Sequence, residues 1–262
     1  VAKWAYEPAP EIVRIARQPG SILVLPLGSL EQHGPHLPAG TDTFEVSAIV
    51  AAAVEGLGGK VPVLVTPPLW VGHSPENMPF GGTISASFER LLHLIEDMAL
   101  SAAQNGFRAI VLVNGHGGNQ SLVDAAVTTL NTDLGCPAEV FGVTYWTRLV
   151  RRELEEIIED DVALNHAGEL ETSLMLHIHP ELVKTDRFPD NSGEIPYRLG
   201  AFELTRRWPI AFYPRSFAAE GYSKTGAFGN VRLASKEKGE RIFLEAVRAL
   251  REFLMAVHRK IA

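Results

Sequence analysis

Short, almost uniformly apolar runs alternate along the chain with longer stretches in which apolar residues recur every three or four positions. SILVLPL (Ser21 to Leu27), VPVLVT (Val61 to Thr66), AIVLVN (Ala109 to Asn114) and AEVFGVT (Ala138 to Thr144) have the length and β-branched content of strands. Strands so apolar along their whole length are expected to be covered on both faces. Helices are predicted from about Thr43 to Glu55, from Ser87 to Gln104 with Gly106 as a C-terminal stop, and from Gln120 to Leu134. A last helix spans about Ser235 to His258, where Ser235 is placed to cap the first turn and IFLEAVRALREFLMAV carries apolar residues at helical spacing. Strands alternating with helices imply the α/β class with a mostly parallel sheet. From Asp186 to Asn230 the pattern dissolves into Gly, Pro and aromatic residues, a length of irregular chain that compact domains tolerate mainly at a site or an interface.

Composition narrows the picture without changing it. The 262 residues are 46% hydrophobic and 21% charged, with no linker-like stretch, so residues 1–262 read as a single domain with apolar content for a sizeable core. Net charge is −7 and no basic stripe is present, which argues against nucleic acid as a partner. Cys136 is the one cysteine, so no intrachain disulfide forms. No run approaches the roughly 20 apolar residues of a membrane span, and the N-terminal stretch lacks the plan of a secretory signal; the expectation is a soluble cytoplasmic protein with no membrane partner.

The chemistry-bearing residues cluster where strands end. GSLEQHGPHLPAGTDT follows the first strand and holds Glu31, His33, His36 and Asp42 within a short span. Ligands of open parallel sheets gather beyond the carboxyl ends of strands, and imidazole with carboxylate is a donor set for Zn, Mn or Fe. A polar surface loop explains the same composition, and His36 has the further option of simple packing. The third strand runs into NGHGGN, where His116 is flanked by glycines. A phosphate-cradling loop is the rival reading there, weakened by the lack of G-x-G-x-x-G and of a following Lys. HSPENMPFGGTIS after the second strand offers His73, Ser74 and Glu76 for the rim, as substrate-binding residues or as a turn. NHAGELETSLMLHIHP brings His166, Glu169 and Glu171 at the head of a helix.

Taken in order, GSLEQHGPHLPAGTD, HSPENMPFGGTIS, NGHGGN and HAGELETSLML resemble the creatininase family of metal-dependent amidohydrolases, and TGAFGNVRLASKEKG is similar to that family's C-terminal region. The resemblance implies a three-layer α/β/α fold, two divalent metal ions (Zn, Mn or Fe), a small-molecule amide substrate and assembly into homo-oligomers, hexamers among them. Carried over residue by residue, it implies that Glu31, Asp42 and His116 hold one ion, that His33 and the bridging Asp42 hold the other, and that His166 assists catalysis. Hydrolysis of a non-standard or small-molecule amide C–N bond by a water between the ions follows from it. Relatives that share NGHGGN and HAGELET include deformylases and a peptidase of cofactor maturation, and a catalytically idle metal-binding member is a further alternative.

Two departures bear on the site. Where the family's creatinine-hydrolysing members have an aromatic residue and then a metal-binding Glu after NGH, this chain has Gly117 and Gly118, so the resemblance implies that the cover over a small planar substrate is missing and that one ligand must come from elsewhere. Gly117 then marks open substrate space, and Trp146 is a candidate to supply part of the lost aromatic surface. For the missing ligand, a helix that includes His166 sets Glu169 about 60° and Glu171 about 140° from it, which selects Glu169 for the metal and leaves Glu171 a catalytic or supporting carboxylate. A helix beginning only after Gly168 removes that preference.

Overall fold

A computed structural model of the chain describes residues 3–160, 166–190, 215–216, 218 and 223–262. Among them β1 (Ile22–Leu27), β2 (Val63–Val65), β3 (Ala109–Asn114) and β4 (Glu139–Thr144) form one sheet in the order β2-β1-β3-β4, parallel throughout. Ile22 pairs with Val63 on one side and Ala109 on the other, and Leu27 ends level with Asn114.

Every residue of β1 and β3 is buried, as their uniform apolarity requires. The period of two along each strand feeds separate cores. Ile22, Val24, Val111 and Val113 pack with helices α2 (Thr41–Glu55), α5 (Arg151–Ile157), α6 (Glu169–Ile178) and α7 (Lys236–Ile261). Leu23, Leu25, Leu27, Ile110 and Leu112 pack with α1 (Ala9–Ala16), α3 (Phe88–Ala103) and α4 (Gln120–Thr132). The result is a three-layer α/β/α sandwich, in which each fully buried Leu, Ile or Val side chain contributes about 1.5–3 kcal/mol. Along α7 the stripe Ile242, Ala246, Leu250, Leu254 and Val257 is buried, and the Ser235 hydroxyl accepts the Lys238 N–H as the expected cap.

Pro26 sits in a central strand although it has no N–H to donate. Its carbonyl accepts the Leu69 N–H, so its nitrogen faces the β2 side of the sheet, where β2 has already ended at Val65. No ladder bond is lost there.

Two boundaries differ from the sequence pattern. β2 is only Val63–Val65, cut short by Pro62 before it and Pro67 after it. α2 starts at Thr41 rather than Thr43, because Thr41 bonds back to the Pro38 carbonyl through both its N–H and its hydroxyl. Asp42 therefore lies in the first turn of α2, where the helix dipole favours a carboxylate. Of the irregular stretch between Asp186 and Asn230, residues 191–214, 217 and 219–222 lie outside the described residues.

Strand order sets the site. The chain leaves β1 toward β2 through α2 on one face of the sheet, and leaves β3 toward β4 through α4 on the other. The connections after β1 and β3 separate at the middle of the sheet, opening a crevice beyond their carboxyl ends.

Candidate metal centre

The connection after β1 folds back on itself: Glu31 N–H donates to Ala39 O, and the turn at Gly34 has φ 64°. This brings Glu31 and His33 over the first turn of α2. His33 donates from Nδ1 to the Glu31 carbonyl at 3.1 Å, so its Nε2 carries the lone pair when the ring is neutral. That Nε2 lies 3.1 Å from Asp42 Oδ1 and 3.7 Å from Glu171 Oε2.

His116 arrives from the end of β3. A side chain at Gly115 would meet Val46 Cβ at 2.7 Å and the Asp42 carbonyl at 2.9 Å, so only glycine allows the strand end to lie this close to α2. The His116 Nε2 faces the His73 carbonyl at 3.0 Å; a carbonyl only accepts, so Nε2 carries the proton. Nδ1 then points its lone pair at Asp42 Oδ2, 3.0 Å away, and Glu31 Oε1, 3.2 Å away.

Glu31 Oε1 and Asp42 Oδ2 are buried, and among the described residues the polar atoms they face are imidazole nitrogens: His116 Nδ1 for both, and His166 Nδ1 for Glu31 Oε1. Leaving a buried carboxylate oxygen without a positive partner is costly, and here two of them converge. Among the described residues three groups of donors each lie within 4.8 Å of one another: Glu31, Asp42 and His116; His33, Asp42 and Glu171; and Glu31, His33 and His166. The donor set fits divalent transition ions.

In the ion-free chain, protons do the work of the cation. Burial opposes charge on His33, but Asp42, Glu171 and Glu31 outweigh it and raise its pKa to about 10. His116 is likewise driven well above its ordinary value against burial, by Glu31 and Asp42. Burial pushes Asp42 up, yet His33 and His116 hold it below the usual carboxylate range. Burial raises Glu171 to about 7.

His166 joins the cluster from the other side. It donates from Nε2 to the Gln32 carbonyl at 2.5 Å, its Nδ1 lies 3.4 Å from Glu31 Oε1, and its ring centroid lies 4.3 Å from that of His33 with the planes tilted by 41°. Burial, then repulsion from His33, lowers its pKa to about 4.

The two carboxylates after Gly168 part company with the sequence expectation. α6 begins at Glu169 and His166 lies before it, with Ala167 at φ 53°, so no continuous helix joins His166 to Glu169 and the angular preference has no basis. Glu171 turns into the cluster, its Oε2 accepting the Ala167 N–H at 2.5 Å. The Glu169 carboxylate instead accepts the N–H groups of Glu159 and Asp160 and pairs with Lys238. It belongs to no donor group of the centre.

The expected rim is also different. Ser74 is fully buried behind His116, its Oγ 3.1 Å from Nε2, and offers no surface to a substrate. Glu76 is buried in a polar knot in which Asn77 donates to it and accepts from Gln32. His73 is half-buried and donates from Nδ1 to the Ala86 carbonyl. Trp146 packs against the core with an edge contact to Tyr145. Gly117 is exposed, and among the described residues nothing lies within 4 Å of where its side chain would be. His36 is buried, bonded to the Thr172 hydroxyl and edge-on to Phe188, which is packing.

Glu45 was not legible as a site residue. It lies one turn beyond Asp42 on α2, accepts the Tyr145 hydroxyl at 2.8 Å, and burial together with Glu171 raises it well above its ordinary value. Its spacing from Asp42 was the available signal, hidden by starting the helix at Thr43.

The creatininase family, described as creatinine amidohydrolase, matches residues 8–254, and the chain belongs to this family of hydrolases acting on carbon–nitrogen bonds. The mycofactocin precursor peptide peptidase of Mycobacterium ulcerans (strain Agy99) is 34% identical over 230 residues, which cover 86% of this chain and 81% of that protein. The creatinine amidohydrolase of Pseudomonas putida is 28% identical over 245 residues, 87% of this chain and 86% of that protein. A creatininase structure with Mn superposes with a TM-score of 0.77 at 26% identity, covering 99% of this chain and 98% of the other. A creatininase variant of Zn-Zn type gives 0.74 at 26% identity, covering 98% and 97%.

Proposed function

We propose that the centre holds two divalent ions and hydrolyses an amide other than creatinine. Glu31, Asp42 and His116 would hold one ion and His33, Asp42 and Glu171 the other, with Asp42 bridging. Such ions lower the pKa of a water toward neutrality and polarise an amide carbonyl. The chain's own residues supply order and proton movement. The Glu31 and His73 carbonyls fix the tautomers of His33 and His116, so that both rings present lone pairs to the ions. His166, held at Nε2 by the Gln32 carbonyl, is left with Nδ1 to take a proton and return it to the leaving nitrogen.

This reading rests on two buried carboxylate oxygens, Glu31 Oε1 and Asp42 Oδ2, that converge on one imidazole nitrogen, His116 Nδ1, at 3.2 and 3.0 Å. Its test is metal analysis of the purified protein, followed by chelation and assay of a panel of formamides, cyclic amides and short peptides with Zn²⁺, Mn²⁺ and Fe²⁺. Two ions per chain and metal-restored hydrolysis are expected; a chain that takes up no ion contradicts the reading.

A second reading narrows the substrate to a peptide processed in cofactor maturation. It is favoured by the 34% identity to the mycofactocin precursor peptide peptidase and by Gly117, beside which no described residue lies within 4 Å of a side-chain position. Release of amino acids or short fragments from peptides in the same panel, with formamides left intact, selects it.

A further inference from the structure

We infer that Ser29 and Ser74 form a proton-ordered hydroxyl relay that positions two ligands of one ion, His116 and Glu31. The inference rests on reading the cluster as a metal centre. Both serines are completely buried, one in the connection after β1 and the other in the connection after β2. Their hydroxyls lie 2.8 Å apart; Ser74 Oγ lies 3.1 Å from His116 Nε2, and Ser29 Oγ lies 3.4 Å from Glu31 Oε2.

The direction of every proton in this chain follows from its two ends. His116 Nε2 carries a proton because it also faces the His73 carbonyl, which only accepts. Ser74 Oγ therefore accepts from His116, and its own proton goes to Ser29 Oγ. Ser29, having accepted, gives its proton to Glu31 Oε2, and an ionised carboxylate only accepts. Both ends demand the same ordering. The consequence is a division of labour on Glu31: Oε2 is taken by Ser29, and Oε1, the buried oxygen that faces His116 Nδ1, is the one left for the ion.

The surroundings hold the relay in register. Thr43 donates to the Ser29 carbonyl, and the Ser74 N–H donates to Ser85 Oγ. A side chain at Gly72 would meet Ser29 Oγ at 2.7 Å and His116 Cδ2 at 3.0 Å, so glycine lets this segment lie flush against both. Ser29 and Ser74 are positioning residues: they act on the ion through Glu31 and His116.

The test is titration of the metal-stripped protein with Zn²⁺ against a chelator, for the parent, Ser29→Ala, Ser74→Ala and the double variant, with folding checked by circular dichroism. Outer-shell partners of metal ligands are worth about 10–100-fold in affinity. Each single variant is expected to lose that much at one of the two ions while the other binds as in the parent. Because the relay acts as a unit, the double variant is expected to be no weaker than the worse single one. Ser29→Ala is the decisive variant, since it removes no atom bonded to His116; it is still expected to shift the His116 Nε2–H signal in the proton NMR spectrum of the Zn²⁺-loaded protein, and it suffices should Ser74→Ala not fold. Unchanged affinity at both ions, losses that simply add, or an unmoved Nε2–H signal would overturn the relay while leaving the metal centre standing. A parent that binds no Zn²⁺ overturns the centre itself and the relay with it.

Discussion

His33 and His116 present opposite ring nitrogens to the two oxygens of one carboxylate: Nε2 of His33 lies 3.1 Å from Asp42 Oδ1, and Nδ1 of His116 lies 3.0 Å from Asp42 Oδ2. The difference in nitrogen follows from the backbone, because the Glu31 carbonyl takes the Nδ1 proton of one ring and the His73 carbonyl the Nε2 proton of the other. Asp42 is thus the carboxylate that both imidazoles face, one on each oxygen.

Asp42→Asn is expected to empty the centre more thoroughly than any other single change. The amide keeps the shape but removes the charge that offsets two cations, so the loss should exceed the ~10–100-fold typical of an outer-shell change. Metal content by mass spectrometry checks it, and parental occupancy of both ions in the variant would remove Asp42 from the bridging role.

The two carboxylates of α6 are expected to separate cleanly. Glu171→Gln should lose the ion on the His33 side and turnover with it, since Glu171 Oε2 faces His33 Nε2. Glu169→Gln should keep both ions and instead lower the unfolding free energy by about 1–3 kcal/mol, the cost of weakening a buried hydrogen-bonded charge pair with Lys238. Metal analysis and thermal melts of the two variants decide it; the opposite pattern would return the ligand to Glu169.

Stability of the ion-free protein is expected to fall between about pH 6.5 and pH 10. His33 titrates at an ordinary 6.5 when unfolded and at about 10 when folded, so its stabilisation is complete below 6.5 and is lost as pH rises through 10. His116, raised well above its ordinary value, adds in the same direction. Zn²⁺ must displace these protons, so uptake releases protons and apparent affinity rises with pH over the same window. Melting temperatures of stripped protein at pH 7 and pH 9.5, with calorimetric Zn²⁺ titrations in two buffers of different ionisation enthalpy, measure both effects. A stripped protein more stable at pH 9.5, or uptake without proton release, would contradict the assignment.

Creatinine is expected to be a poor substrate. Among the described residues nothing lies within 4 Å of the Gly117 side-chain position, where a residue with a ring would cover a small planar molecule, and a lost contact of this kind is worth about 10–200-fold in specificity. Creatinine turned over as fast as the best amide of a panel would show that another group provides the cover.

What the sequence disclosed follows from how locally each feature is encoded. Ala109–Asn114 is a strand because six residues in a row are buried on both faces, and uniform apolarity is visible without knowing any partner. Glu31, His33, Asp42 and His116 stand at strand ends, where parallel sheets gather ligands. Glu171 was harder, because its place depends on the backbone break at Ala167 and on a helix beginning at Glu169, neither of which a spacing rule reveals. Ser74 looks like a rim residue in the sequence, which shows that it follows β2 but not that the segment turns inward behind His116. The pairing of Glu169 with Lys238 joins α6 to α7 across the fold and leaves no trace in either local pattern.

In the proposed centre Asp42 would bridge two ions, one beside His116 and one beside His33. Anomalous X-ray diffraction at the zinc absorption edge from crystals of the Zn²⁺-loaded protein measures it directly. Two anomalous peaks flanking the Asp42 carboxylate are expected, the first contacted by Glu31 and His116 and the second by His33 and Glu171; a single peak, or a second ion contacted by Glu169 in place of Glu171, would contradict the account.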